Sequence, residues 1–299
     1  MKYKVIHKTT YVYGETVPVC HNQVYLKPRE GRTQFCRSHR LMIKPKPIAM
    51  EHRNDYFGNE TCFFSIEESH RRLSVTSINR VEVRSQNNPD PAKTLAWEKI
   101  AAELVGPTTA TRIANCQFTF PSPGIQWFPE LEQYARASFT PGRPILAATL
   151  ELTSRIHADF TYDPATTTVQ TPVEEVFRLR SGVCQDFAHV AIACLRSLGL
   201  AARYVSGYLR TIPSPGQEKL VGADATHAWF SIYCGTRQWI GVDPTNNRLV
   251  DSDHITLAWG RDYTDVCPIK GVYLGGTLQN MSVSVDVIPL ESSNGSKRN

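Results

Sequence analysis

Tyr3, Val5, His7, Thr9, Tyr11 and Tyr13 fall at every second position, with lysines recurring between them. This is the period-two pattern of a β-strand buried on one face. Shorter strand-like runs follow. Val24-Tyr25-Leu26 is ended by Pro28, and Cys36 to Ile43 precedes Pro45 and Pro47. The turn cluster Asn54-Asp55-Tyr56-Phe57-Gly58-Asn59 leads into Cys62-Phe63-Phe64-Ser65-Ile66. Leu73, Val75, Ser77, Val81 and Val83 complete the series. Five or six strands without a helix predict an antiparallel sandwich or sheet over residues 1–86. Gln86-Asn87-Asn88-Pro89-Asp90-Pro91 reads as a linker. The pattern then changes period: residues 92–105 and 129–138 read as helices, and Ile145, Ala148, Leu152, Ile156 and Phe160 mark a third. Between the first two, Gln117 to Trp127 is irregular, with Pro121, Pro123 and Gly124.

The second half carries the candidate chemistry. Phe187, Val190, Ala191, Cys194, Leu195 and Leu198 form one apolar stripe of helical period, and Gly199 is the expected left-handed stop. Ser181-Gly182 ends the element before it, which places Cys184 at or just before the first helical turn. Unpaired backbone N–H groups and the positive dipole end there favour a thiolate. Taken alone, a cysteine such as Cys184 is more often a buried, inert thiol.

Downstream, Ala202 to Leu209 reads as a strand, and residues 211–223 as a polar loop able to gate a substrate. Ala225 to Tyr233 and Gln238 to Val242 are strands joined at Gly235-Thr236. A hairpin folded about Gly235 brings His227 beside Asp243, and a loop of odd length would turn both to the same face. A cysteine, a histidine and an aspartate together make a nucleophile, a base and the group that orients the base. The rivals for the base are less well placed. His189 and Asp186 lie about 140° and 200° round the helix from Cys184 at ~100° per residue. The remaining histidines (7, 21, 39, 52, 70, 157 and 254) read as surface or sheet residues.

The first donor to a developing oxyanion is the Cys184 backbone N–H. Tyr162 and Gln185 are candidates for the second, and Trp229 is a candidate wall of the cleft. Gln185 also reads as a surface helix residue, and Trp229 as a core residue.

Composition narrows the function classes. The 299 residues carry 33 Lys+Arg against 28 Asp+Glu, a net charge of +5 too scattered to argue for nucleic acid. No stretch approaches a membrane span, and Met1-Lys2-Tyr3-Lys4 leads into a strand and not a signal-peptide core. A cytoplasmic location is expected. The 8 cysteines are spread with no Cys-x-x-Cys pair, so free thiols are expected. Cys36-x-x-His39 has ligand-like spacing but no second pair, and neither a metal nor a cofactor is expected.

Four ordered motifs then carry a resemblance. Ser181-Gly182-Val183-Cys184-Gln185-Asp186-Phe187-Ala188-His189, Arg203-Tyr204-Val205-Ser206-Gly207-Tyr208, Thr226-His227-Ala228-Trp229 and Val242-Asp243-Pro244-Thr245-Asn246 resemble those of bacterial transglutaminase-like proteins. The likeness continues through Trp259 to Pro268, and Asp55 to Asn59 resembles the accompanying N-terminal β region. The resemblance implies an α+β, papain-like core, here residues 92–290 centred on 145–250, with an antiparallel β domain before it; residues 291–299 read as a disordered tail. It implies that Cys184, His227 and Asp243 form the triad. The expected substrate is a peptide or protein amide, with no nucleic acid and no membrane as partner. The same triad serves hydrolysis, expected here, and amine transfer by a transglutaminase. A third reading, a non-catalytic binding scaffold, would need a lost triad member. No EF-hand calcium loop is found; Asp251-Ser252-Asp253 lacks the rest of the pattern.

Overall fold

The computed structural model describes residues 1–85, 87–106, 109–211, 225–235 and 238–290. The gating loop read at 211–223, the Thr236 half of the Gly235-Thr236 turn and the tail at 291–299 lie outside the described residues, residue 211 excepted.

The opening strands form as their alternation predicts. They are β1 (Lys2–Val17), β2 (Val19–Val24), β3 (Gln34–Lys44), β4 (Ala49–Asn54), β5 (Glu60–Ile66) and β6 (His70–Val83). Tyr3, Val5, His7, Thr9 and Tyr13 of β1 are all buried. The helical half contains α1 (Trp97–Leu104), α2 (Ala110–Cys116), α3 (Pro129–Arg136), α4 (Ile145–Asp159), the short β7 (Thr161–Tyr162), α5 (Val173–Leu179) and the short β8 (Ser181–Gly182). Helix α2 lies in the stretch between the first two expected helices. Thr109 caps its start by accepting the Arg112 N–H. Then come α6 (Cys184–Ser197), β9 (Ala202–Leu209), β10 (Ala225–Tyr233), β11 (Trp239–Asp243), β12 (Arg248–Leu249), β13 (His254–Gly260), α7 (Tyr263–Val266), β14 (Ile269–Leu274) and β15 (Leu278–Pro289).

Three antiparallel sheets organise the molecule. Two have four strands, ordered β15-β1-β6-β3 and β14-β2-β5-β4. Tyr13, Leu73 and Val75 of the first meet Cys20, Val24, Phe64 and Ile66 of the second in one apolar cluster, so the pair is a sandwich. The third sheet, ordered β12-β11-β10-β9-β13, shares the largest core with α4, α5 and α6. The fold class is therefore α+β, with a core of helices on an antiparallel sheet following antiparallel N-terminal sheets.

The two ends of the chain cooperate in the sandwich. The segment 269–289, read from sequence as part of the core unit, adds β14 to the edge of β2 and β15 to the edge of β1. The reason is that β1 and β2 would otherwise present rows of unpaired backbone groups. Each takes a returning strand.

The sandwich then grips the third sheet along β13, its edge strand. Gln34 donates from Nε2 to the Thr256 carbonyl at 2.7 Å and accepts the Thr256 N–H at 2.8 Å. Asn59 treats Trp259 in the same way, at 2.8 and 3.0 Å. Each primary amide thus imitates one rung of a neighbouring strand, and a β-bulge between Thr256 and Ala258 separates the two rungs. Asn59 is itself held by Asp55 Oδ2 and by Arg29 Nη1, both at 2.7 Å. The Arg29 guanidinium lies 3.5 Å from the centre of the Trp259 ring. An apolar cluster of Tyr3, Val5, Val81, Val83, Tyr208, Ile255, Leu257, Val285 and Val287 backs the junction.

Gly207, inside β9, is where this sheet tolerates least change. A Cβ there would stand 2.3 Å from the Ile255 carbonyl oxygen and 2.4 Å from Cη2 of Trp229. Backbone on one side and a buried indole on the other leave no room to yield. Gly207→Ala is expected to destabilise the protein by about 3 kcal/mol, the upper end for overpacking. Urea unfolding checks this: the midpoint should fall with the slope unchanged.

Candidate active site

The start of α6 is shaped by its own sequence. Asp186 reaches back and accepts the Val183 N–H at 2.8 Å, and Thr167 donates to the same oxygen at 2.6 Å. Burial raises the Asp186 pKa, and these two bonds oppose the rise. Gly182 makes the fold-back possible, since a Cβ would lie 2.4 Å from that oxygen. Cys184 is thereby fixed at the first residue of the helix, half-buried, and packed against the main core.

On the facing sheet, Phe230 pairs with Val242 and Tyr233 with Trp239. The hairpin is therefore centred one residue beyond Gly235, and residues 234–238, an odd number, lie between the last paired residues. In this register His227 and Asp243 are diagonal neighbours on one face instead of nearly opposite each other. The diagonal suits a ring that must reach along the strand: His227 Nε2 lies 2.8 Å from Asp243 Oδ2. That leaves Nδ1 for the Cys184 thiol, which is near enough to help raise the pKa of the ring.

The electrostatics follow from these contacts. Burial alone would lower the His227 pKa. Hydrogen bonds with Asp243 and Cys184, and the charges of both, outweigh burial and raise it to about 9. Asp243 has no solvent exposure. Burial opposes its charge, but bonds from His227 and His254 hold it well below the usual carboxylate range. The carboxylate is fully engaged. Oδ1 accepts the backbone N–H groups of Thr245 and Asn246 at 3.0 and 3.2 Å. Oδ2 takes His227, the Asn246 amide at 2.7 Å and His254 Nε2 at 3.2 Å.

The other residues proposed from sequence take up different positions. Tyr162 pairs with Gly182 through the parallel β7–β8 bridge, which sets it beside the Cys184 turn, half exposed. Burial and the nearby charges of Cys184 and Asp186 raise its pKa. Gln185 is buried, and its amide donates to the Val169 carbonyl at 3.2 Å, tying the helix start to the preceding loop. Trp229 is buried over Gly207, 6.1 Å from the His227 ring and edge-on to the His254 ring at 5.2 Å. It backs the histidines from the core. His189 faces away from Cys184 and accepts the Tyr263 N–H at 3.2 Å.

Sequence reasoning missed three contributors. Asn246 stands in a quoted motif without an assigned role. Asp251 enters the sequence reading only in the incomplete calcium-loop pattern. His254 reads from sequence as a surface or sheet histidine, and it is a strand residue, but a buried one that bonds Asp243. A histidine two residues before a β-bulge gives no periodic signal of such a partner. Among the described residues, His227, Asp243 and His254 also form the one set whose ligand-type atoms lie within 4.8 Å of one another. Both histidines already bond the same carboxylate oxygen, so the set is satisfied by protons as it stands. Cys36 and His39 do not converge: Cys36 Sγ donates to the Ser38 carbonyl at 3.5 Å, and His39 Nδ1 meets Asn79 Oδ1 at 2.7 Å.

Comparison with known proteins agrees with this architecture. Residues 3–82 match the bacterial transglutaminase-like N-terminal region, and residues 132–244 match the transglutaminase-like superfamily. An uncharacterized protein of Mycobacterium tuberculosis is 40% identical over 296 residues, covering 97% of this chain and 93% of its own length. The protein-glutamine gamma-glutamyltransferase of Pseudomonas aeruginosa is 31% identical over 102 residues, 34% of this chain and 15% of that protein. The crystal structure of a putative cysteine protease from Cytophaga hutchinsonii shares the fold, with a TM-score of 0.74 at 22% identity over 98% of this chain and 92% of that one. A β sandwich closed by the returning C-terminus, a cysteine-headed helix on an antiparallel sheet, and a relative matched end to end place the chain in the bacterial transglutaminase-like family, within the transglutaminase-like superfamily.

Proposed function

We propose that this protein is a cysteine-nucleophile acyl-transfer enzyme that hydrolyses peptide or isopeptide amide bonds through Cys184, His227 and Asp243. The observation that carries the reading is the His227 ring bonded to Asp243 Oδ2 at 2.8 Å, with Cys184 near enough at the start of α6 to help raise the pKa of that ring.

With His227 already holding the thiol proton on Nδ1, the Cys184 sulfur forms a bond to the amide carbonyl carbon. The carbonyl oxygen gains negative charge, which the Cys184 backbone N–H, free at the helix start, stabilises together with the Tyr162 hydroxyl. The imidazolium then protonates the leaving nitrogen as the C–N bond breaks. A thioester remains. Water gives a proton to His227 and its hydroxyl to the acyl carbon, and the thiolate leaves. Asp243 holds the ring in the required tautomer and balances its charge. Gln185 and Trp229 support the cleft without touching the reacting atoms.

An amine in place of water would make the same site a transglutaminase, as in the name of the Pseudomonas relative. That match spans 34% of this chain, and hydrolysis is the reading put to the test below.

Iodoacetamide at neutral pH should label Cys184 ahead of the buried Cys20, Cys62, Cys194 and Cys234. Burial pushes the thiols of Cys194 and Cys234 up to about 12. Peptide mapping that finds Cys194 or Cys234 modified first would remove Cys184 from the nucleophile role.

The ring of His227 should lose its proton near pH 9 in an imidazole NMR titration, because Asp243 and Cys184 hold the charged form. Activity that needs this proton for the leaving group is present below that pH and declines above it. Asp243→Asn removes the stabilising charge, so the midpoint should move down, and kcat should fall by roughly 10³ to 10⁴. An unchanged midpoint would show that something else orients the ring.

With an acyl donor and a millimolar primary amine, mass spectrometry should find mostly the hydrolysed acid. A predominance of the amide would instead establish transfer.

A further inference from the structure

His254 stands outside the three residues to which the acyl-transfer reading assigns chemical steps, yet its side chain has no solvent exposure. Its ring is held at both ends. Nδ1 meets Asp251 Oδ1 at 2.9 Å and the Asp251 backbone N–H at 3.2 Å. Nε2 meets Asp243 Oδ2 at 3.2 Å, the oxygen that also takes His227. Trp229, edge-on, closes the flank.

The partners dictate where the protons are. An ionised carboxylate oxygen can only accept, so His254 Nε2 carries a proton when it bonds Asp243. Nδ1 has two options: bare, it accepts the Asp251 N–H; protonated, it donates to Asp251 Oδ1. Nε2–H stays on Asp243 in both. The charged and titratable groups facing the ring are Asp243 from β11, His227 from β10 and Asp251 from the turn before β13. Arg248 binds the other oxygen of Asp251 at 3.2 Å.

We propose that His254 is a positioning residue for acyl transfer: its Nε2–H keeps Asp243 ionised and aimed at His227 Nε2, so that His227 Nδ1 stays on Cys184. This rests on the acyl-transfer reading above. A second imidazole donor on Oδ2 spreads the charge of that oxygen and makes the carboxylate less basic, which favours leaving the shared proton on His227. The donor also fixes the plane of the carboxylate, since His254 is anchored on β13, whereas Asn246 lies in the turn after β11 and His227 on β10. The line of contacts runs Arg248, Asp251, His254, Asp243, His227, Cys184. The strand that carries His254 is the one the N-terminal sandwich grips, so the sandwich reaches the nucleophile through this residue.

The test is the rate of Cys184 alkylation by iodoacetamide, from acid to alkaline pH, in the full chain carrying His254→Phe or His254→Gln. Phenylalanine fills the space without a donor, whereas glutamine can place an amide N–H near the Nε2 position. His254→Phe should move the acid limb of the profile up by about one pH unit and lower the rate near neutrality roughly tenfold, with glutamine recovering most of both. Once an acyl donor is found, kcat should fall with KM unchanged. A folded His254→Phe protein whose profile matches the wild type overturns the proposal, even if its urea midpoint has dropped. Should the phenylalanine variant fail to fold, glutamine is compared with the shorter asparagine. Loss in asparagine but not in glutamine supports the role, and wild-type profiles in both overturn it. A wild-type Cys184 that does not alkylate overturns the acyl-transfer reading itself, and this proposal with it.

Discussion

Strand β13 is an edge strand that is not free, and much of the molecule depends on how its outer edge is satisfied. An exposed row of N–H and C=O groups would either bind water or recruit another chain. Here Gln34 and Asn59 supply two side-chain amides that pair with Thr256 and Trp259 as a neighbouring strand would. Because both amides come from the N-terminal sheets, the same bonds that satisfy the edge also set the sandwich against the core. The Arg29 guanidinium on the Trp259 ring and the apolar cluster behind it add area to a junction whose register the amides define.

Inside the core, the costly group is the Asp243 carboxylate. A buried charge of this kind persists only if its lone pairs are filled. Two backbone N–H groups, one amide and two imidazoles fill them. The donors come from three places: the turn that follows β11, strand β10 and strand β13. The charge thus holds the sheet together locally, and the sheet holds the charge next to His227. The same arrangement raises the His227 pKa and lowers that of Asp243, as expected of a pair in which the proton resides on the ring. Cys184 meets this pair from the opposite layer, carried on the first turn of α6.

Local sequence settled whatever depends on neighbours along the chain. The alternation from Tyr3 to Tyr13 fixed a strand with one buried face, and the stripe from Phe187 to Leu198 fixed a helix headed by Cys184. Gly182 and the Asp186 cap act within five residues of each other, so the placement of Cys184 was legible. The hairpin that brings His227 to Asp243 was legible as well, apart from its register. A one-residue change in the centre of a turn depends on loop geometry that residue types specify weakly.

Tertiary structure decided the rest. Nothing in residues 269–289 marks them as strands of the N-terminal sheets, because strand pairing across the whole chain leaves no local period. His254 reads as one more strand histidine, and only the packing of β13 beside β9 brings its Nε2 to Asp243. Gln34 and Asn59 are polar residues that composition would leave at the surface, and their partners are some 200 positions away in the chain. The sequence by itself determined the chemistry available, a cysteine, a histidine and an aspartate on a helix and a hairpin. The folded structure decided which groups hold the aspartate charged, since hydrogen bonding between distant strands is a property of their docking and not of either strand alone.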